Sequence, residues 1–459
     1  MNSTDNGREK WGSKIGFILA AAGSAIGLGN LWKFPYMTYT NDGGAFVLTY
    51  LMAILAIGVP IMIAEIVIGR KTQLSPVGAM KKLGGKKWTW LGWLGVSTGF
   101  IILSYYSVVA GWTLEYVVKS ISGAFIDQSH DQVTQQFVTF VSDPFRQVFW
   151  HAIFMGITMF VVIGGVKGGL ERAARLLMPI LFVIILILVA VSLSTEGAGR
   201  AITFLFRPNF SELSGAGFLE ALGHAFFSLS LGMGAMMTYG SYMHKNESIP
   251  NAALTVSLLD TAIAILACLI IFPIIFTFDL VPTKSAGILF TTLPVVFMQM
   301  PGGTYFSILF FTLVAFAALT SAISLLEVVA SYFIDELNWN RKKSTLITGG
   351  AIFVFGTFSA LSNGAVGWLS NFNIWGRPTT AGFFNTFDYL ASNYLLPVGG
   401  FFIAVFTGWI LSKSLKEEEL STGGRSYFKY NVWNVLIKYF APVAVGVIIL
   451  AVLLGKEFQ

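Results

Sequence analysis

Apolar runs long enough to cross a bilayer, repeated from end to end and separated by short polar loops, constrain this chain more than any other feature. A span needs roughly 20 predominantly apolar residues to cross about 30 Å of hydrocarbon. Eleven such segments begin near residues 13, 43, 88, 147, 174, 218, 252, 303, 345, 384 and 434. Lipid offers no partners to backbone N–H and C=O groups, so runs of this kind must satisfy them internally as helices. The expected fold is an all-α membrane protein of eleven transmembrane helices with its outer surface in a lipid bilayer. Composition agrees, with 55% hydrophobic and only 11% charged residues, where a soluble domain carries about 25% charged. The apolar stretch from Ile15 is too long for the h-region of a cleavable signal, so none is expected.

The net charge of +6 follows the membrane and gives no reason to expect a nucleic-acid partner. With the N-terminus in the cytoplasm, the cytoplasmic loops hold 20 Lys and Arg residues, the opposite loops 7, and the spans Lys33 and Lys438. That bias is the usual orientation signal. An odd number of spans then puts the C-terminus outside, in a multi-pass protein of the inner (plasma) membrane. The single cysteine, Cys268, lies in an apolar run, which excludes disulfides and cysteine metal sites.

Two spans are peculiar, and they sit five apart. The first carries Gly23-Ser-Ala-Ile-Gly-Leu-Gly-Asn-Leu-Trp-Lys-Phe-Pro35. Each Gly costs about 1 kcal/mol in a helix interior, so this run followed by Pro35 predicts a helix that unwinds partway across. Unwound backbone frees carbonyls for a cation and N–H groups for a carboxylate. Small-residue helix packing accounts for the glycines equally well but leaves Asn30 and Lys33 unexplained, and a charge at that depth is usually functional. The sixth span repeats the pattern in Ser228-Leu-Ser-Leu-Gly-Met-Gly234, with Phe226, Phe227, Met233 and Met236 as apolar walls or as plain core. Paired Gly-interrupted spans point to a transport site near the midplane.

On the eighth span, Ala317, Thr320, Ser321 and Ser324 recur at helical spacing. They form either a packing seam or an oxygen-lined face for a hard monovalent cation. Asp260 lies within an apolar stretch, where a carboxylate needs a cation or a buried partner. Glu65 and Glu327 are embedded as well and are expected to act as hydrogen-bond hubs as readily as ligands. No nucleophile–base pair, metal-ligand cluster or phosphate loop indicates an enzyme.

The segments GSAIGLGNLWKFP, FFSLSLGMG and LTSAISLLE resemble the neurotransmitter:sodium symporters, especially their eleven-span bacterial amino-acid transporters with the LeuT fold. The resemblance runs from about Arg8 to the last span. It implies one transmembrane domain over 1–459, built as a 5+5 inverted repeat with helices 1 and 6 broken. Repeat one would cover about 13–195, repeat two about 218–412, and an extra helix about 434–455. It also implies two sodium ions. The first would use Ala25, Asn30, Ser228, Asp260 and the substrate carboxylate; the second, Gly23, Ile26, Ala317, Thr320 and Ser321. An amino-acid substrate would lie against Ala25, Gly27, Leu28, Gly29, Ile102, Tyr106, Phe227, Ser230, Met233, Ser321 and Leu325. Tyr106 would bond its carboxylate and Phe227 would cover it. Lys33 and Asp388 resemble an outer gate; Arg8 and Asp335, with Ser241 and Tyr242 nearby, resemble an inner one.

Departures from the family pattern sharpen the expectation. Gly27 stands where monoamine carriers have an aspartate, which favours a ligand with its own carboxylate. Asp260 replaces a frequent asparagine and Ala264 the serine of chloride-dependent members, which implies chloride-independent transport. Lys33 in place of arginine implies a looser outer gate. His224 replaces a frequent glutamine and is expected to be a satisfied hydrogen-bonding residue, with a proton-linked role as the sharper alternative. The expected function is sodium-coupled import of hydrophobic or aromatic amino acids by alternating access. A proton-coupled carrier and a non-transporting amino-acid sensor are the rivals, and the sequence sets no oligomeric state.

Overall fold

The structure, a computed structural model, describes residues 8–280, 288–423 and 429–456. Regular secondary structure among these residues is entirely helical. Nine of the described helices are long and apolar enough to cross a membrane: Gly44–Thr72, Lys86–Ile121, Pro144–Ile163, Val166–Ser192, Ile249–Thr277, Gly303–Leu337, Arg341–Leu361, Phe383–Ile410 and Tyr430–Leu453. A tenth is formed by Lys14–Ala25 and Gly29–Thr40 taken together, two pieces bent by 54° at their junction. The expected sixth span differs from the others. It consists of Gly215–Ser228, 14 residues, and Ala235–Ser241, only 7, and neither piece alone reaches the length of a span.

Both breaks follow from local chemistry. The first span starts at Ser13, whose hydroxyl accepts from the Gly16 N–H at 2.9 Å, a standard N-cap. Its helix stops at Ala25, where Ile26 turns extended with ψ 102°, and resumes as a wide π-type turn over Gly29–Lys33. In the sixth span residues 229–234 form turns. Ser230, Gly232 and Gly234 have φ of 54°, 84° and 76°, which a helix cannot accommodate and which glycine adopts most readily. Gly232 is also required sterically, because a Cβ there would lie 2.3 Å from the Leu396 carbonyl oxygen. The span Phe383–Ile410, which carries Leu396, therefore presses directly on the break.

The long helix Gly303–Leu337 packs along Lys86–Ile121 and against the first span, so the broken spans lie in the protein interior. Lipid-facing bulk is carried by the periphery, for example Phe160, Leu176 and Val443. The buried stripe expected on the eighth span is present: Ala317, Thr320, Ser321 and Ser324 all lie inside.

Candidate functional site

Polar side chains converge on the break in the first span from two directions. The first group centres on Asp260 of the seventh span, fully buried. Its Oδ1 accepts from Asn30 Nδ2 at 2.8 Å, and its Oδ2 accepts from the Ser228 hydroxyl at 2.8 Å and the Tyr50 hydroxyl at 3.3 Å. Asn30 Nδ2 also lies 3.2 Å from Ser228 Oγ, while its Oδ1 accepts from the Gly27 N–H at 3.1 Å. A buried carboxylate is tolerable only when paired or hydrogen-bonded. Three donors supply that here, and they bring together Asn30, Ser228 and Asp260.

The second group holds the carbonyls freed by the break. Ser321 Oγ lies 3.3, 3.2 and 3.2 Å from the carbonyl oxygens of Gly23, Ser24 and Ile26. Ser230 Oγ, from the sixth span, donates to the Ser24 carbonyl at 2.9 Å. Thr320 Oγ1 donates to the Ala317 carbonyl at 3.0 Å, and a Cβ on Gly23 would meet the Thr320 Cβ at 3.0 Å. Ser321 thus ties the Gly23 and Ile26 carbonyls to the eighth span, where Thr320 packs on Gly23 and bonds to Ala317.

Between the two groups the glycines of the first span are packed closely by side chains from the third, sixth and eighth spans. A Cβ on Gly27 would lie 2.8 Å from Ser321 Oγ and 3.0 Å from the Tyr106 hydroxyl, and one on Gly29 would lie 3.1 Å from Phe227 Cε1. The Leu28 N–H donates to the Tyr106 hydroxyl at 3.3 Å. Tyr106, Gly27, Leu28, Ser321, Gly29 and Phe227 are therefore one neighbourhood. Ala25, Ile102, Met233 and Leu325 are buried apolar residues on the same elements. Ile102 lies one turn before Tyr106, and Leu325 one turn after Ser321.

Toward the N-terminal side the neighbourhood is closed by a polar network. Arg8 pairs with Asp335 and donates to Ser241 Oγ at 2.7 Å, with its guanidinium 4.7 Å above the Tyr242 ring. The Tyr242 hydroxyl donates to Glu327 at 2.6 Å, and Glu327 pairs with Arg341 at 2.7 Å. Arg341 also pairs with Glu9 at 3.0 Å, Glu9 accepts from the Val166 N–H at 2.5 Å, and Glu171 accepts from the Gly12 N–H at 2.5 Å. Trp11 donates through its ring N–H to the Tyr239 carbonyl at 3.0 Å.

The opposite end is different. Lys33 Nζ sits 4.4 Å above the Phe227 ring centroid, Asp388 Oδ1 lies 3.5 Å from Ser392 Oγ, and no ion pair joins Lys33 to Asp388 among the described residues. His224 lines the space beside Lys33 and Phe227. The expectation that it is hydrogen-bonded is not met, because both ring nitrogens are buried without a partner. Its surroundings are aromatic, with Phe34 stacked at 5.5 Å and Tyr50 at 5.7 Å, and these offer neither donor nor acceptor to the ring edge. Glu65 proves to be a structural hub: it accepts from the Gly232 N–H at 2.8 Å and the Met237 N–H at 3.3 Å, capping the second piece of the sixth span.

Sequence reasoning missed Tyr50, Glu9, Arg341 and Glu171. Glu9 had a usable signal, being the acidic neighbour of Arg8. Tyr50 had none, since it reads as one more aromatic in an apolar run.

Comparison with known proteins agrees along the whole chain. The profile of the Sodium:neurotransmitter symporter family matches residues 8–143 and 141–455. A Bacillus subtilis protein described as an uncharacterized sodium-dependent transporter, YhdH, is 39% identical over 96% of this chain and 97% of its own length. A Haemophilus influenzae protein with the same description is 32% identical over 98% and 99%. Among solved structures, MhsT in complex with L-phenylalanine superposes with a TM-score of 0.88 at 41% identity, covering 97% of this chain and 100% of that one.

Proposed function

The chain belongs to the sodium:neurotransmitter symporter family, and on that premise we propose that it imports hydrophobic or aromatic amino acids together with two sodium ions. The observation that carries the substrate class is the neighbourhood of Gly27. It offers the Tyr106 hydroxyl and apolar walls and no fixed charge at residue 27, so a ligand must bring its own carboxylate. The neighbour MhsT holds phenylalanine, which supports the same class.

In this reading the first sodium ion lies among Ala25, Asn30, Ser228, Asp260 and the substrate carboxylate. Asn30 must then turn its amide so that Oδ1, now on the Gly27 N–H, faces the ion. The second ion lies among Gly23, Ile26, Ala317, Thr320 and Ser321. Asp260 supplies a negative charge within the protein, and transport is independent of chloride. The two pieces of the sixth span act as one crossing, which makes eleven spans, with residues 13–195 and 218–412 as inverted repeats. The N-terminus is cytoplasmic. Arg8 and Asp335 form the inner gate, and Lys33 and Asp388 form the outer gate as it closes.

The driving force is adequate. Each charge crossing 100 mV contributes about 2.3 kcal/mol, and a tenfold gradient adds about 1.4 per ion. Two ions supply roughly 7 kcal/mol, enough to concentrate a zwitterion on the order of 10⁵-fold.

The test is uptake of labelled leucine, tyrosine and tryptophan into proteoliposomes, under sodium or potassium gradients and with chloride replaced by gluconate. Uptake that needs sodium and ignores chloride supports the reading. Uptake driven equally by a proton gradient without sodium overturns it. A Met233→Phe variant is expected to shift preference toward smaller side chains, and unchanged tryptophan-to-alanine discrimination would reject the assigned pocket. Proton counter-movement through His224 is the remaining alternative, which an unchanged pH profile in His224→Gln would remove.

A further inference from the structure

Between Arg70 and Leu114 the chain carries six basic residues and no acidic one. Four of the six, Lys81, Lys82, Lys86 and Lys87, fall within seven positions where the second span hands over to the third, and all four are exposed. They sit on the end of helix Pro76–Gly84 and on the short turn that follows it. Lys82 donates to the Thr72 carbonyl at 3.2 Å, and Lys86 and Lys87 make no ion pair among the described residues. Three tryptophans follow directly. Trp90 and Trp93 are 42% and 43% exposed, and their rings rest against Phe402 and Tyr332 at 4.9 and 4.4 Å. Exposed indoles at the start of a spanning helix mark headgroup depth. Lysines clustered at that depth beside a span match anionic headgroups in charge.

The same helix touches the inner gate. Its N-cap residue, Ser75, donates its backbone N–H to Asp335 Oδ2 at 2.5 Å, the oxygen that also pairs with Arg8. Further along, Lys81 lies 3.8 Å from Glu336, the next residue after Asp335. Gly78 packs so closely on that side chain that a Cβ would sit 2.4 Å from Glu336 Oε1. A headgroup phosphate drawing Lys81 outward would therefore weaken its hold on Glu336 while pulling on the helix whose first N–H binds the gate carboxylate.

We propose that Lys81, Lys82, Lys86 and Lys87 with Trp90 and Trp93 form a docking surface for anionic phospholipid headgroups, and that its occupancy tunes the inner gate through Lys81–Glu336 and Ser75–Asp335. The tuning half rests on the transport reading above, and the docking half stands without it. The partner is the lipid surface itself, because the tryptophans anchor at the depth of headgroups.

The experiment uses the full chain in phosphatidylcholine vesicles with and without phosphatidylglycerol. Native mass spectrometry reads retained phosphatidylglycerol, and labelled amino-acid uptake reads the gate. One surface lysine contributes about fivefold to headgroup partitioning. Neutralising Lys81, Lys86 and Lys87 to Gln is therefore expected to lower retention at least tenfold and to abolish the response of uptake to phosphatidylglycerol, while uptake in phosphatidylcholine persists. The matching Lys→Arg variant keeps the charge and is expected to keep both responses. Neutralising Lys342 and Lys343, another basic pair on the same side, is expected to change neither. Equal retention in the Gln variant, or equal loss in the Lys342/Lys343 control, overturns the docking surface. Retention lost with an unaltered lipid response overturns the tuning. Uptake absent in every protein and lipid while retention follows the lysines would instead refute the transport reading and the tuning built on it.

Discussion

The two ends of the pathway are built on different principles. At the N-terminal end Arg8, Asp335, Ser241, Tyr242, Glu327, Arg341 and Glu9 form one connected sequence of alternating donors and acceptors. At the other end Lys33 rests on an aromatic ring, and Asp388 lies beside Ser392 and Tyr105 with no ion pair to Lys33 among the described residues. The first end is held by linked polar contacts, the second by packing and one cation over a ring. Buried charges left without partners cost far more than the pairs themselves gain. Opening the bonded end therefore demands a concerted change, while the aromatic end yields in small steps.

Arg8→Ala attacks this contrast most directly. Removing one partner of a buried pair costs about 3–5 kcal/mol, so amide exchange over residues 9–16 should accelerate on the order of 100-fold or more. Unchanged exchange would erase the distinction between the ends. Tyr242→Phe deletes one charge-assisted bond, worth about 1.5–3 kcal/mol, and should accelerate the same amides roughly tenfold to a hundredfold. Effects of the two variants that simply add in the double variant would mean that the network is a set of independent pairs. Lys33→Gln loses only a cation–ring contact of about 0.5–2 kcal/mol, and exchange over Gly29–Thr40 should change by no more than about thirtyfold. A larger response would reveal a closed outer ion pair in solution. His224→Phe has no hydrogen bond to lose, so the melting temperature should stay constant or rise by about 1–2 °C. A fall of several degrees would show that the imidazole has found a partner.

The same contrast explains what could be read in advance. The spans were legible because hydropathy is a local property of some 20 residues. The break in the first span was legible because Gly23, Gly27, Gly29 and Pro35 each disfavour helix on their own account. Ser321 and Thr320 stood out by helical spacing on an apolar face. At the bonded end Arg8, Asp335, Ser241 and Tyr242 were legible through the family resemblance, and Glu327 as a carboxylate in an apolar run. Glu9 meets Val166 and Arg341 across 157 and 332 residues, and Glu171 meets Gly12 across 159, and no local pattern encodes such meetings. His224 failed for a related reason. A histidine in a span predicts a need for partners, and only the fold reveals that Phe34 stacks on its face while the nearby Tyr50 hydroxyl is committed to Asp260. The sixth span was read as interrupted, but its second piece is shorter than hydropathy implied, because apolar residues 229–234 are spent in turns rather than helix.

The Ser321 hydroxyl lies within reach of three carbonyl oxygens, yet a hydroxyl carries a single hydrogen. At any instant at least two of those oxygens receive nothing from it, and Ser230 relieves only the Ser24 carbonyl. Lone pairs outnumber hydrogens at this point of the chain, so the local potential is negative although no residue there bears a formal charge. A cation held there would be selected by size and hydration rather than by pairing with a formal charge.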